Sequence, residues 1–196
     1  MKFDLSNLKQ RINDCPKPGA PRYGSFQPAA VFLLLFDVTE PRVLAIQKSD
    51  TEGYPWRNQV ALPGGHVDES DVTSLAAAYR ELKEEVNIDR NQVEFIGSTG
   101  HFQTINHRDI QVFVGWWQEK GAIRFDSSEI SRVLKIPVRK LAGIHVERKY
   151  QGRIPDVNEL VYPYRDVVIW GVTARILHHF IEILHPTIVD GRESRA

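Results

Sequence analysis

Between Leu62 and Val86 the chain carries a Pro63-Gly64-Gly65 turn and then a stretch that forms a stable helix only if its two unlike faces find different surroundings. At 100° per residue, Leu75, Ala78, Tyr79, Leu82 and Val86 share one face and call for a core to pack on. Glu81, Glu84 and Glu85 fall on roughly the opposite side. A helix is therefore expected from about Thr73 to Val86. Three carboxylates at i, i+3 and i+4 repel one another by a few tenths of a kcal/mol per pair. They also crowd the C-terminal end, where the helix dipole disfavours negative charge. Arg80 and Lys83 relieve only part of this, and a divalent cation would relieve most of it. Clustered carboxylate oxygens without a His/Cys cluster suit a hard ion, Mg²⁺ or Mn²⁺. A Glu-rich helix alone is more often a solvated face. The glycine pair a short way upstream changes that balance, because it lets the backbone approach a helix or ligand closely and turn a carbonyl inward.

The rest of the chain supplies a sheet for such a helix. Ala29–Val38 and Arg42–Gln47 read as strands rich in branched and aromatic residues, with further strands near Val93–Gly97, Ile110–Trp117 and Arg132–Val138. A short helical turn follows at Arg139–Gly143, and Trp170–Leu184 is a closing helix with apolar residues at helical spacing. Residues 1–24 read as a short amphipathic helix followed by an irregular arm punctuated by Pro16, Pro18, Gly19, Pro21 and Gly24; the segment 144–165 has no clear pattern. Strands flanked by separate helices imply one α/β (α+β) sandwich with a mixed sheet over residues 25–190. Twenty-five basic residues balance 25 acidic ones, which leaves no footprint for nucleic acid or an anionic membrane. The single Cys15 excludes an intrachain disulfide and a multi-cysteine zinc site. The longest apolar run, Ala29–Phe36, is too short to span a bilayer. A cytoplasmic setting is expected.

Arg80-Glu81-Leu82-Lys83-Glu84-Glu85, preceded by Gly64-Gly65, resembles the Nudix box in its full Arg-Glu-apolar-x-Glu-Glu core. Asn87 stands where that pattern has glycine, and Asn tolerates the left-handed conformation needed there. The resemblance implies a Nudix-type α/β/α sandwich and metal-assisted hydrolysis of a nucleoside diphosphate linked to another moiety. Glu81, Glu84 and Glu85 would hold Mg²⁺ (or Mn²⁺), with the Gly65 carbonyl completing the coordination. Arg80 would orient Glu81 through an ion pair. The general base is open between Glu81, Glu84 and the downstream Glu129. A Nudix-fold nucleotide-binding module without turnover is the rival from another class, although it would have no reason to keep three mutually repelling carboxylates.

Within the family, the stretch from Gly65 to Arg80 is one residue longer than the general pattern and carries Asp71, which is similar to the coenzyme A pyrophosphatase branch. Gln59–Gly65, Ser128-Glu129-Ile130, Ile136-Pro137-Val138 and Ile169–Ala174 resemble that branch too. The implied substrate is coenzyme A or an acyl-coenzyme A; ADP-ribose, nucleotide sugars and dinucleotides are the alternatives. The chain departs from the branch at Leu44–Ser49, where Lys48 replaces an arginine. Tyr54 falls near a second expected arginine, Asn58 replaces a glycine, and Arg57 stands ready to compensate. Lys48, Arg57 and His66, with Arg108, are the cations expected around the substrate, and Lys48 is the first choice for the 3′-phosphate of the coenzyme. His101, Thr104 and His107 are expected in a loop that reaches the substrate; Trp116, Trp117 and Trp170 are expected in the core.

Overall fold

The computed structural model describes residues 4–52 and 56–193, with side chains described as far as residue 184. In chain order the elements are α1 (Leu5–Asp14), β1 (Gln27–Phe36), β2 (Arg42–Lys48), β3 (Val60–Ala61), β4 (Gly64–His66), α2 (Ser74–Val86), β5 (Val93–Gln103), β6 (Arg108–Trp117), β7 (Ile130–Pro137), α3 (Val138–Glu147), β8 (Tyr162–Tyr164), β9 (Val167–Ile169) and α4 (Gly171–Glu193). Tyr54, one of the departures noted above, lies outside the described residues.

Among the described residues, β1 to β7 make one mixed sheet in the order β3-β2-β1-β6-β5, with β4 added to β1 and β7 to β2. β1 runs parallel to β6 and antiparallel to β2 and β4. Its apolar run is nearly continuous because both faces are covered, as in strands at the centre of a layered fold. Ala30, Phe32, Leu34 and Phe36 meet Ala77, Ala78, Leu82 and Val86 of α2. Ala29, Val31, Leu33 and Leu35 face the opposite way, into the larger core built with α1, α3 and α4. The result is the α/β/α sandwich with a mixed sheet that the sequence implied. Leu8 and Ile12 of α1 are buried in that larger core, together with Ala174, Ile176, Leu177, Phe180 and Ile181 of α4.

β1 forks. Leu34–Phe36 pair with β2, whereas Ala29–Val31 pair with β4. The loop carrying Gly64 and Gly65 is wedged into that fork, and this is what fixes it beside α2. α2 is capped at its start by Thr73, whose hydroxyl accepts from Ala76 N–H at 3.1 Å. It ends at Asn87, which takes φ 58° in the left-handed region and so closes the helix as a glycine would.

Several stretches differ from the sequence expectation: α4 runs on to Glu193, β8 and β9 form a hairpin that no pattern announced, β1 ends at Phe36, and β5 and α3 are longer than expected. β5 continues to Gln103, well past Gly97, because two bulges in its pairing with β6 keep it in the sheet. Bulges break the period of two on which the reading depends. α3 extends to Glu147, beyond the expected turn at Gly143, and buries Ile144 and His145 in its added residues.

Candidate active site

The geometry begins at the two glycines. Gly64 has φ +145°, and a Cβ there would lie 2.2 Å from the Ala30 carbonyl oxygen, so only glycine fits the fork. Its N–H donates to Glu85 Oε2 at 2.9 Å. Gly65 presses against α2: a Cβ there would stand 2.5 Å from Glu81 Oε1. The turn thus brings two backbone groups onto two of the three carboxylates.

Arg80 ties the third in. Its Nη1 donates to Glu81 Oε1 at 2.9 Å and to Glu84 Oε2 at 3.0 Å. Its Nη2 donates to Asp71 Oδ2 at 2.9 Å and to the His66 carbonyl at 3.0 Å. The Asp71 hydrogen bond leads the interactions that hold the guanidinium firmly charged, ahead of those with Glu81. In return, Arg80 and the Asp68 N–H hold the Asp71 carboxyl below its usual range. Arg80 therefore locks the turn to the helix and orients Glu81 and Glu84 from behind.

Glu85 departs from its expected place. It is 7% exposed and packs among the apolar residues of α2. The reason is angular: on the helical wheel it lies about 60° from Leu82, at the margin of the apolar face and not opposite it. Burial is compensated by Lys48, whose Nζ donates to Glu85 Oε1 at 2.6 Å, and by the Gly64 N–H. Burial pushes the Glu85 carboxyl above its ordinary value, partly offset by Lys48. The helix-end repulsion inferred from the sequence is thus largely answered by Arg80 and Lys48.

The donors are of the chemical class that suits a hard divalent cation, with Arg80 bridging Glu81 and Glu84 and both Glu85 oxygens engaged by Lys48 and the Gly64 N–H. Glu81 and Glu84 converge on one guanidinium nitrogen, Glu81 lies against the Gly65 backbone, and the Glu81 charge acts on Glu85. The set is all oxygen, as Mg²⁺ and Mn²⁺ require.

A cleft of about 350 Å³ opens on the sheet face opposite α2 and is bounded at one end by Lys48, Gly64 and Gly65. Its walls come from Ala29 and Val31 of β1, Gln59–Leu62, the β5–β6 hairpin and the first turns of α4. The glycine turn is the partition between the cleft and the carboxylates.

A NUDIX domain model matches residues 26–160. The chain belongs to the Nudix family. A curated relative from Photorhabdus laumondii, described as the uncharacterized Nudix hydrolase NudL, is 28% identical over 92% of this chain and 97% of its own. The protein of the same description from Escherichia coli K12 is 30% identical over 76% of this chain and 78% of its own. The fold is also that of a solved MutT protein from Methanosarcina mazei, with a TM-score of 0.55, 13% identity, and coverage of 85% of this chain and 99% of that one. This chain is accordingly a Nudix hydrolase, a family acting on pyrophosphate bonds of nucleoside diphosphate derivatives with the help of divalent cations.

The Nudix fold sorts the other residues named from the sequence. Lys48 lines the cleft but is ion-paired to Glu85. His66 is exposed at the end of β4 and contributes its carbonyl to Arg80. Arg57 is exposed and lies 3.5 Å from Asp50, apart from the residues lining the cleft. Glu129 is exposed, and its carbonyl accepts from Ser49 N–H at 2.9 Å, which fixes it next to Lys48. His101 is in a strand and turned to Asp109 at 2.8 Å. His107 occupies the hairpin turn with φ 53° and rests near the Phe26 ring. Thr104 and Arg108 do line the cleft. Trp116 and Trp117 are core residues, but Trp170 is 52% exposed and forms part of the cleft wall. It follows β9 and precedes Gly171, whose φ of +66° turns the chain into α4, so its ring is left outside the core. Arg175, also on the cleft, was not singled out from the sequence; its spacing from Trp170-Gly171 was the only signal available.

No helix among the described residues is long and apolar enough to cross a membrane.

Proposed function

We propose that this Nudix hydrolase splits the pyrophosphate of coenzyme A or an acyl-coenzyme A, giving adenosine 3′,5′-bisphosphate and 4′-phosphopantetheine or its acyl derivative. The observation that carries the reading is a juxtaposition. The two segments most similar to the coenzyme A pyrophosphatase branch, Gln59–Gly65 and Ile169–Ala174, lie far apart in sequence yet both contribute residues to the lining of one cleft. The mouth of that cleft is apolar, with Ile105, Val157 and Trp170 all more than half exposed. Exposed apolar side chains grouped around a cleft suit a ligand with an extended, weakly polar arm.

In this reading Glu81, Glu84 and Glu85, with the Gly65 carbonyl, hold Mg²⁺ or Mn²⁺. The ion supplies Lewis acidity that neutralises charge on the phosphoryl oxygens. The chain's own contribution is positional. Arg80 fixes Glu81 and Glu84, while Lys48 and the Gly64 N–H fix Glu85. Glu81, Glu84 or Glu129 accepts the proton of the attacking water.

The test is a substrate panel of coenzyme A, acetyl-coenzyme A, ADP-ribose, a nucleotide sugar and a dinucleotide, each with Mg²⁺ and ranked by kcat/KM. Coenzyme A or its thioester is expected to lead, with the bisphosphate as product. Turnover of ADP-ribose or a nucleotide sugar with coenzyme A left intact would overturn the coenzyme reading and leave the Nudix assignment standing.

A further inference from the structure

The cations of the cleft are unevenly used. Its lining contains Lys48, Arg108 and Arg175 and no Asp or Glu. Lys48 is neutralised by Glu85. Arg108 and Arg175 have no carboxylate partner among the described residues. Both are nevertheless held in place. The Arg108 guanidinium lies 4.8 Å above the Trp56 ring, and Arg175 Nη1 donates to the Gln103 carbonyl at 2.9 Å. Gln103 is paired across the hairpin with Asp109, the neighbour of Arg108, so both arginines serve the same end of the cleft. The first turn of α4, at Gly171 and Val172, lines it as well and adds the positive end of a helix dipole.

That end is distant from the carboxylates. Gly64 pairs with Val31 of β1, whereas Arg108 pairs with Gln27. Four residues of strand separate the two levels, about 13 Å at ~3.3 Å per residue. That exceeds the span of one pyrophosphate group. An anion held at Arg108 and Arg175 is therefore a different group from a pyrophosphate lying at the carboxylate site, where Glu81 and Glu85 would hold the cation that meets it.

We propose that Arg108 and Arg175 form a second anion subsite, which takes a phosphomonoester carried on the nucleoside part of the substrate. The role that sequence reasoning gave to Lys48 belongs to these two residues, because Lys48 is committed to Glu85. A guanidinium has five donors in a fixed fork; stacking and a single carbonyl contact leave most of them for phosphate oxygens. The proposal rests on the coenzyme reading above for its natural substrate, but its chemistry is testable without it.

Two measurements decide it. The first compares coenzyme A with dephospho-coenzyme A, which lacks only the 3′-phosphate, for the unsubstituted enzyme and for Arg108→Gln and Arg175→Gln. A charge-assisted hydrogen bond to phosphate corresponds to about 10- to 150-fold in kcat/KM. Each variant is expected to lose that much on coenzyme A and several-fold less on dephospho-coenzyme A. Equal losses on the two substrates, or no loss, overturn the subsite. Arg175 is exposed, so its variant remains informative if Arg108→Gln folds poorly. The second measurement is calorimetric titration with adenosine 3′,5′-bisphosphate and with adenosine 5′-monophosphate, without turnover. The bisphosphate should bind more tightly, and either substitution should erase the preference; no preference in the unsubstituted protein overturns the subsite. An arginine-dependent preference in a protein that leaves coenzyme A uncut would sink the coenzyme reading and uphold the subsite. Cleavage of coenzyme A that is indifferent to both arginines would do the reverse.

Discussion

Glu81 and Glu85 are one helical turn apart, and their surroundings separate what removing each should do. Glu81 shares Arg80 with Glu84 and Asp71, so Glu81→Gln leaves that guanidinium well satisfied and stability nearly unchanged. Glu85 is the buried partner of Lys48. Glu85→Gln removes the carboxylate that compensates a largely buried ammonium and should cost about 1–3 kcal/mol. Sequence reasoning, which sees only repulsion among the carboxylates, expects a slight gain instead. On the proposal that Glu81 and Glu85 hold the ion, both should be needed for turnover: each variant is expected to lose at least ~100-fold in kcat with saturating Mg²⁺. Chemical denaturation beside steady-state kinetics separates the two effects. A Glu85→Gln protein as stable as the unsubstituted chain would refute the role given to the Lys48 pair, and near-normal kcat would refute the metal site.

α2 is the element on which the site depends, and its C-terminal end is set by Asn87. The Asn87 side chain accepts from Lys83 Nζ at 2.9 Å and donates to the Ala122 carbonyl at 3.3 Å. The Ile88 N–H reaches back to the Leu82 carbonyl, and the Asn87 N–H to Lys83, closing the helix in a Schellman arrangement. Asn87→Ala should cost about 1–2 kcal/mol for the left-handed backbone, or a fall in Tm of ~2–4 °C per kcal/mol in a chain of this size. Asn87→Gly, which keeps the conformation and loses only the side-chain bonds, should fall less. If thermal denaturation ranks the two the other way, the backbone conformation is not what Asn87 contributes. The glycine of the family pattern is thus replaced by a residue that adds anchorage to the loop at Ala122.

Over the whole molecule, the larger core is closed by polar groups that join α3, α4 and the β8–β9 hairpin. His145 is completely buried; its Nδ1 lies 2.9 Å from the Tyr162 hydroxyl and its Nε2 2.6 Å from Glu182 Oε1. Glu182 also accepts the Gly152 N–H at 3.0 Å, and His178 Nε2 lies 3.3 Å from the Tyr150 carbonyl. Burial would raise the Glu182 carboxyl, but the Gly152 N–H and His145 outweigh it and hold it below its usual value. The neighbouring His179 is pushed down by burial, then by His178. Both shifts act in one direction. Below about pH 6.5 the unfolded chain takes up a proton that His179 resists in the folded state. At lower pH, protonating Glu182 removes the stability that its depressed pKa represents. The protein is therefore expected to lose stability on acidification, His179 acting first. Tm should fall between pH 7.5 and 5.5, and His179→Leu should shrink that fall. An undiminished fall in the variant would assign the acid sensitivity elsewhere.

Local patterns carried far in this chain because they are set by local physics. The two-faced α2, the doubly buried β1 and the need for glycine at a close backbone approach follow from helical and strand periods and from the absence of a Cβ. They were enough to imply the layered fold and to single out the carboxylates of Glu81, Glu84 and Glu85; the places of Arg80 and Gly65 in the candidate centre came from the resemblance to the Nudix box. What the sequence could not supply were relations between segments far apart in the chain. Lys48 reads as a free cation until β2 sets it against Glu85, and only the fork of β1 places the Gly64 N–H on that carboxylate. Trp170 reads as core until Gly171 turns the chain away. Arg108 and Arg175, 67 positions apart in the sequence, become neighbours of one cleft only because β5, β6 and α4 pack together. Charge pairing and burial act through space, so the tertiary structure alone decided which cations were already committed to a carboxylate and which were left facing the cleft.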